Sequence, residues 1–237
     1  MIRKEHLPDI AGATAGIAFA VSLFLSIASI DPLRGATDQE LFEWWSDGGL
    51  RRDSIISMYL MFFAAPCFLV FVSVLRTRLR APDGESAWTG LVHGAGIAFA
   101  TLLAVSAIVR GVVAQAVRFG DEPVPGPDTL RYATELQYVT YGLAAIPFVL
   151  IVITAPSIQI LRMGILSRWI GWLGLSVTAV GLALTAAMVG PFATPLILLW
   201  VLAASAHLFR TRGASAQAMT AGRDVARTEP QRAMTLP

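Results

Sequence analysis

A chain of 237 residues in which 55% are hydrophobic and 14% are charged has too few charges for an ordinary soluble domain, which carries about 25%. A net charge of +2 indicates no nucleic-acid partner, because the basic residues lie at the ends of apolar stretches, where anionic lipid headgroups attract them. The single cysteine excludes an internal disulfide and a multi-cysteine metal site. The composition therefore predicts an integral membrane protein with the lipid bilayer as its first partner.

Five apolar stretches lack Asp, Glu, Lys and Arg and reach the roughly 20 residues that cross a bilayer. The last, 169–209, is long enough for two crossings, and the Gly/Pro-rich segment 190–195 supplies the turn. We therefore predict an all-α polytopic membrane protein whose six transmembrane helices form three antiparallel hairpins. The predicted spans are residues 10–30, 54–75, 88–110, 136–161, 169–189 and 191–209. They form one domain, 1–212, and the polar segment 213–237 is predicted to be a disordered cytoplasmic tail.

The basic residues of the loops and termini separate by side of the membrane. The side that holds both termini carries twelve Lys or Arg and six acids, whereas the other side carries six basic residues and ten acids. Lys and Arg resist translocation, so the first side is predicted to be cytoplasmic. This predicts a multi-pass protein of a bacterial plasma (inner) membrane with its N-terminus and C-terminus in the cytoplasm.

A short helix is predicted between the first two spans. The motif 37–40, Thr-Asp-Gln-Glu, has the form of a capping box, and Leu41, Trp44 and Trp45 fall on one face before Gly48-Gly49 ends the helix. We expect an extracytoplasmic interfacial helix with its aromatic face among the outer headgroups. The alternative is a lid over an outer cavity or a docking site for a partner.

Small residues form stripes on two spans. Gly12-xxx-Gly16 and Gly90-xxx-Gly94 let a neighbouring backbone approach closely, and we expect both stripes to pack within the bundle, with a homodimer seam as the alternative. The pentapeptide 16–20, Gly-Ile-Ala-Phe-Ala, also recurs at 96–100. The distance along the chain between Pro66 and Pro147 is nearly the same as the distance between the two pentapeptides. A duplicated hairpin would explain the recurrence, and so would the Gly/Ala content of bundle interfaces.

Arg110 closes the third span. About 22 residues after Trp88, which marks the inner interface, lift a helix by about 33 Å, so Arg110 is expected at the outer boundary with its side chain snorkelling into headgroups. The alternative is a charge that binds a ligand.

Arg110 is expected to meet Glu135 or Tyr138 near the outer surface, because the loop 120–128 is short and makes spans three and four antiparallel neighbours. Tyr138 and Tyr141 are expected in the outer aromatic belt, and Glu135 above it in water. An outer ligand site would be formed by Arg110, Glu135, Tyr138 and Tyr141.

His93 and His207 are expected at similar depth near the cytoplasmic edge, where they are weak candidates for a shared metal or haem. The simpler role of His93 is a hydrogen bond to a backbone carbonyl across the Gly90–Gly96 stripe. Two histidines without a carboxylate or thiolate make a poor site, so we predict neither a metal nor a cofactor.

Residues 165–174, Ile-Leu-Ser-Arg-Trp-Ile-Gly-Trp-Leu-Gly, resemble the "LPRWLGWLG" stretch of bacterial six-helix membrane proteins grouped under a domain of unknown function. Ser167 stands where that family usually has proline. The resemblance extends loosely over 10–212 and implies the six-helix fold, but no catalytic residue.

No metalloprotease, serine-hydrolase or phosphate-loop motif occurs, and no acid lies in mid-span. The sequence therefore favours a non-enzymatic accessory, scaffold or sensor, with a membrane-protein partner or a homodimer as candidate assemblies. The alternative is a small-solute facilitator or transporter built on a hairpin repeat.

Overall fold

The computed structural model describes residues 7–28, 35–78, 87–163 and 167–210, so the predicted tail 213–237 lies outside the described residues. The helices are α1 (Leu7–Ala28), α2 (Asp38–Ser46), α3 (Gly48–Arg78), α4 (Ala87–Phe119), α5 (Pro127–Tyr138), α6 (Ile146–Met163), α7 (Arg168–Ala186) and α8 (194–210). A π-helical segment, Val139–Ala145, joins α5 to α6, and a 3₁₀ turn, Gly190–Ala193, precedes α8.

Six helices are long and apolar enough to cross a membrane, which confirms the predicted all-α class and number of spans. Consecutive spans are neighbours: α1 packs on α3, α3 on α4, α4 on α6, and α6 on α7. This order is compatible with the predicted hairpins. Both α3 and α4 are longer than the predicted spans, with 31 and 33 residues, and their additional turns lie at the end of the bundle that also holds α2 and α5. We call this the capped end.

A second, smaller hydrophobic cluster holds the capped end together, and it corrects the expected position of the short helix. Leu41 and Trp45 of α2 are only 3% and 4% exposed because they pack against α3, α4 and α5 instead of facing headgroups. The buried members of the cluster are Leu41, Trp45, Ile55, Val113, Ala114 and Leu130. The short helix therefore roofs one end of the bundle.

The predicted capping box is confirmed at the start of α2. Thr37 Oγ1 accepts a hydrogen bond from the Glu40 backbone N–H at 3.3 Å, and Glu40 Oε2 accepts one from the Thr37 N–H at 2.7 Å. The helix ends slightly before the predicted Gly48-Gly49: its last residue is Ser46, and Asp47 is its C-cap in an extended conformation. The Oδ1 atom of Asp47 accepts the N–H of Leu50 and so caps the first turn of α3.

The middle of the bundle is filled by aromatic side chains. Phe68 of α3 lies between Phe19 of α1 and Phe99 of α4, with ring centroids 4.8 Å and 4.6 Å away. Phe71 and Trp200 continue this layer towards α8, and all five side chains are at most 1% exposed. The recurring Gly-Ile-Ala-Phe-Ala pentapeptides thus supply the two rings that enclose Phe68.

The two glycine stripes behave differently. A Cβ on Gly12 would lie 2.6 Å from Val74 Cβ, and one on Gly16 would collide with Phe71 and Ser205, so this stripe packs within the bundle as predicted. Gly90 and Gly94 are exposed, and no described atom lies within 4 Å of a Cβ built on either. The prediction that the second stripe packs within the bundle is therefore wrong, because that face of α4 points outwards.

Candidate functional site: a cavity at the capped end

A cavity of about 840 Å³ lies beneath the roof formed by α2. Its wall is built from the last turns of α1, from α4 and α5, from the π segment and from the connection between α7 and α8. Apolar residues dominate this wall, and its polar residues include Arg110, Gln137, Tyr138, Tyr141 and Thr194.

Arg110 is buried on the cavity wall, which corrects the expectation that it snorkels into headgroups. The residue is only 5% exposed. The physical reason is that α4 continues to Phe119, so Arg110 lies beneath the capped end and not at the end of its helix. Ser54 Oγ donates to the Arg110 carbonyl at 3.4 Å.

Tyr138 is held at the wall by the connection between α7 and α8, and Tyr141 by the first residue of α8. Tyr141 is 6% exposed, and its hydroxyl lies 2.7 Å from Thr194 Oγ1 in a hydrogen bond. The Tyr138 hydroxyl donates to the Met188 carbonyl at 2.8 Å. The prediction that Tyr141 lies in an aromatic belt is wrong, because the π segment turns its ring inwards.

The structure brings together three of the four predicted site residues. Arg110, Tyr138 and Tyr141 all line the cavity, whereas Glu135 is exposed on α5 and lies outside the lining. The ligand-binding role of this set stays a prediction.

The π segment was not predicted, and it shapes one wall of the cavity. The Ile146 N–H donates to the Tyr141 carbonyl five residues back. Pro147 follows and has no N–H with which to form the next backbone hydrogen bond of an ordinary α-helix. On the outside of this wide turn, Gly142 touches Pro191, with the position of a Gly142 Cβ only 2.5 Å from Pro191 Cδ. Gly142 and Pro147 were the sequence signals, but neither specifies a π turn by itself.

Trp45 is a lining residue that was not among the predicted site residues. Its indole Nε1 is buried and makes no hydrogen bond with any residue that the structure describes. Trp45 therefore contributes its ring to the wall, and its side chain ties α2 to the cavity.

The cavity has an apolar mouth. Phe24 and Ile27 of α1 line it although they are 61% and 40% exposed, and Phe192 on the other side is 70% exposed. All three lie in membrane-crossing segments, Pro8–Ala28 and Gly190–Arg210. The cavity therefore has a buried, partly polar inner wall and an opening framed by large apolar side chains.

The two histidines lie elsewhere. Within the described ranges no group of three or more His, Cys, Asp or Glu side chains is close enough to hold a metal. The expected hydrogen bond from His93 to a backbone carbonyl is not formed by Nδ1, which is buried without a partner among the residues described. Of this stripe, Gly90 and Gly94 face outwards, whereas Gly96 packs against Val72 of α3.

Comparison of the chain with protein-family models, with curated proteins and with solved structures gave no match. The resemblance of residues 165–174 to a six-helix family stays a prediction.

Proposed function

We propose that this protein is a non-enzymatic accessory or sensor protein of the membrane whose capped-end cavity binds a small molecule. The observation that carries the proposal is the cavity itself. Its volume of about 840 Å³ falls within the range of about 300–1,000 Å³ that is usual for ligand pockets, and it combines apolar walls with a few polar groups. Arg110, which is 5% exposed, contributes a basic residue to this lining.

The roof of the cavity supports a sensing role. Trp45 lines the cavity, and the same helix carries Asp38, which accepts hydrogen bonds from Arg131 of α5 at the protein surface. A ligand that contacts Trp45 would therefore stabilise an element that also faces outwards. A partner protein that binds the roof could therefore distinguish the filled cavity from the empty cavity.

The facilitator alternative requires a path past the aromatic layer of Phe19, Phe68 and Phe99. These rings fill the space between α1, α3 and α4 at mid-height, and their side chains are at most 1% exposed. A solute that crossed the bundle there would have to displace them. We therefore favour binding over transport, and solute uptake into liposomes containing the protein tests the alternative.

The orientation belongs to the same proposal. At the end opposite the roof, α3 finishes with Arg76 and Arg78 and α6 with Arg162. The sequence assigns twelve Lys or Arg to this side. Under the positive-inside rule this end faces the cytoplasm and the roof faces outwards from a plasma membrane. Cysteine labelling of an introduced residue on α2 in intact cells would test this placement.

Native mass spectrometry of the protein purified in mild detergent tests ligand binding. Wild type is expected to carry a small-molecule adduct that Arg110→Gln loses. Arg118→Gln is the matched control, because Arg118 is exposed on the same helix and outside the lining, and it should keep the adduct. Ala133→Phe, which fills the cavity and leaves Arg110 in place, should also lose it. Wild type without an adduct after incubation with a native lipid extract, or an Arg110→Gln variant that binds normally, would contradict the proposal.

A further inference from the structure

We infer that the cavity binds a neutral, largely apolar molecule that carries a hydroxyl or carbonyl group, and that the side-chain amide of Gln137 binds this group. The inference rests on the proposed ligand-binding function and names the ligand class. It follows from the chemistry of the lining, in which the arginine is shielded, the hydroxyls are already hydrogen-bonded and one amide is unused.

The arginine of the lining offers little surface to a ligand. Arg110 is 5% exposed, and its Nε and Nη2 atoms are buried. The residue also interacts with another group of the protein. A charged ligand would therefore lose its hydration in a mostly apolar space without direct contact with this cation, which is costly. Arg110 supports the wall, so its replacement affects binding indirectly, and the wall suits a ligand without charge.

The hydroxyl groups of the lining are already used within the protein. Each takes part in a hydrogen bond with a backbone carbonyl or with a second hydroxyl, and the residues are Ser54, Thr134, Tyr138, Tyr141 and Thr194. A ligand that took one of these donors would replace an existing hydrogen bond, and such an exchange gains little free energy. The hydroxyls therefore shape the wall and are poor anchors.

Gln137 combines a place on this wall with an unused polar group. The residue is half-buried, and its side-chain amide forms no hydrogen bond within the described part of the chain. In contrast to the Trp45 indole nitrogen, the amide is not sealed from the cavity. It offers both a donor and an acceptor, so it can bind either a hydroxyl or a carbonyl.

The backbone of Gln137 is fixed at the level of the membrane. Its carbonyl accepts a hydrogen bond at 3.4 Å from the hydroxyl of Ser106, a fully buried residue of α4. Both residues belong to segments that are long and apolar enough to cross the bilayer. A polar side chain without a partner is costly in such a segment, and a ligand that pairs with it removes this cost.

The rest of the lining suits the apolar part of the ligand. The volume of about 840 Å³ accommodates a drug-sized molecule, and α1, α4 and α8 supply apolar side chains such as Ile27, Val113 and Leu198. A ligand of this kind also dissolves in the bilayer, where acyl chains are as apolar as these side chains. Apolar contact alone therefore does not favour the cavity over lipid, and the hydrogen bond to Gln137 provides the difference.

Competitive photolabelling of the full chain in nanodiscs of zwitterionic lipid tests the inference. The probe is decanol with a diazirine in the middle of its chain, and labelled peptides are mapped by mass spectrometry. The competitors are decanol, decane, decyl sulfate and decyltrimethylammonium, compared at equal mole fraction in the bilayer. We expect labelling of the segments 109–113 and 133–141. Decanol should compete about three- to tenfold better than decane, because one neutral hydrogen bond separates them, and better than both ions.

Variants at Gln137 test the anchor. Gln137→Leu keeps the size of the side chain and removes the amide, so decanol and decane should compete equally well. Gln115→Leu is the matched control, because Gln115 is a half-buried glutamine of α4 outside the lining, and it should keep the preference for decanol. The preference is a ratio measured within one variant, so it does not depend on the folded fraction, and Gln137→Met is a second variant without the amide. An unchanged preference in both Gln137 variants would overturn the assignment.

The competitors distinguish failure of this inference from failure of the proposed function. If decane competes as well as decanol in wild type, the cavity binds a small molecule but the anchor at Gln137 is wrong. If either ion competes as well as decanol, the requirement for a neutral ligand is wrong and the proposed function stands. Labelling that excess decanol does not reduce would overturn the inference, and if wild type also carries no adduct in native mass spectrometry, both proposals fail.

Discussion

Arg131 and Asp38, which are 93 positions apart in the chain, join the roof to the helix beside it. Arg131 Nη2 and Nε donate to Asp38 Oδ1 at 2.5 Å and 3.2 Å, and Nη2 also donates to the Ala36 carbonyl at 3.0 Å. Both side chains are substantially exposed, at 45% and 67%, so the pair contributes little to overall stability. Its effect is local, because it anchors the start of α2.

We therefore expect Arg131→Gln to lower the free energy of unfolding by less than about 1 kcal/mol but to speed hydrogen exchange in α2. Exchange measured by mass spectrometry and thermal unfolding together test this separation. Arg118→Gln, which removes another exposed arginine near the capped end, should leave exchange in α2 unchanged. Unchanged exchange in Arg131→Gln would show that the anchor is unnecessary.

The capping box predicts a pH dependence of the same helix. Hydrogen bonds from the Thr37 backbone N–H and hydroxyl hold the pKa of Glu40 below its ordinary value. The stabilisation is therefore fully present above the ordinary carboxyl pKa, about 4.3, and is lost as the pH falls through the lowered pKa. Protection of α2 in wild type relative to Glu40→Gln should be largest at neutral pH and disappear in acid. A Thr37→Ala background loses the hydroxyl but keeps the backbone N–H, so the pH-dependent difference should be smaller there, and an undiminished difference would contradict the contribution of the hydroxyl.

At the opposite end of the bundle, Asp9 and Arg78 form a two-point salt bridge with unequal exposure. Arg78 Nε donates to Asp9 Oδ1 at 2.8 Å, and Arg78 Nη2 contacts Oδ2. The side chain of Asp9 is 7% exposed and that of Arg78 is 48% exposed. Arg78→Ala leaves a nearly buried carboxylate without its partner and should cost about 1–3 kcal/mol. Asp9→Ala leaves an arginine that can reach water and should cost less than about 1 kcal/mol. Equal losses in denaturant unfolding would refute the asymmetry.

Ser26 of α1 and Ser57 of α3 exchange hydrogen bonds within the bundle. Ser26 Oγ donates to the Ser57 carbonyl at 2.9 Å, and Ser57 Oγ donates to the Ser26 carbonyl at 2.7 Å. Such bonds between membrane helices contribute about 0.6 kcal/mol, and up to about 1.7. The two hydroxyls also share a hydrogen bond, with their Oγ atoms 2.9 Å apart. A double-mutant cycle with Ser26→Ala and Ser57→Ala should give a coupling in this range from that bond, because the bonds to the backbone carbonyls are lost in the single variants and do not enter the coupling. The cycle of Ser26→Ala with Ser73→Ala should give none, because Ser73 is exposed and bonds to its own helix at Leu69. Coupling within error of zero in the first cycle would oppose the prediction.

Gly190 and Gly94 form a matched pair for testing close packing. A Cβ on Gly190 would collide with the carbonyl oxygen of Gly142, a backbone atom that cannot rotate away, whereas one on Gly94 meets no described atom. Gly190→Ala should therefore lower the free energy of unfolding by about 1–3 kcal/mol and disturb the cavity wall. Gly94→Ala should cost nothing in the monomer. A loss confined to Gly94→Ala would instead indicate that the outward stripe of α4 is covered.

The predictable part of this fold depends on local sequence. Each span is visible as a long apolar stretch, and the capping box needs only Thr37 and Glu40 at the right spacing, so both were predicted without knowledge of the tertiary structure. The pairing of Asp9 with Arg78 could not be predicted in this way, because it depends on how α1 and α3 are aligned.

The cavity escaped prediction for a related reason. Arg110 at the end of an apolar stretch has the same local sequence whether its helix ends there or continues, and only the packing of α2 and α5 shows that it is buried. The π turn brings Gly142 against Pro191, and this contact joins residues that are distant in the chain. The sequence therefore predicted residues of the site, but it did not predict that they line one cavity.

The length of α4 sets the height of the molecule. Its 33 residues at 1.5 Å each measure about 50 Å, whereas the hydrocarbon core of a bilayer is about 30 Å thick and the whole bilayer about 40–45 Å. A helix of this length that begins near one headgroup layer must project beyond the other. A large molecule that approaches the protein from that side therefore contacts α2 and α5, which project above the lipid headgroups.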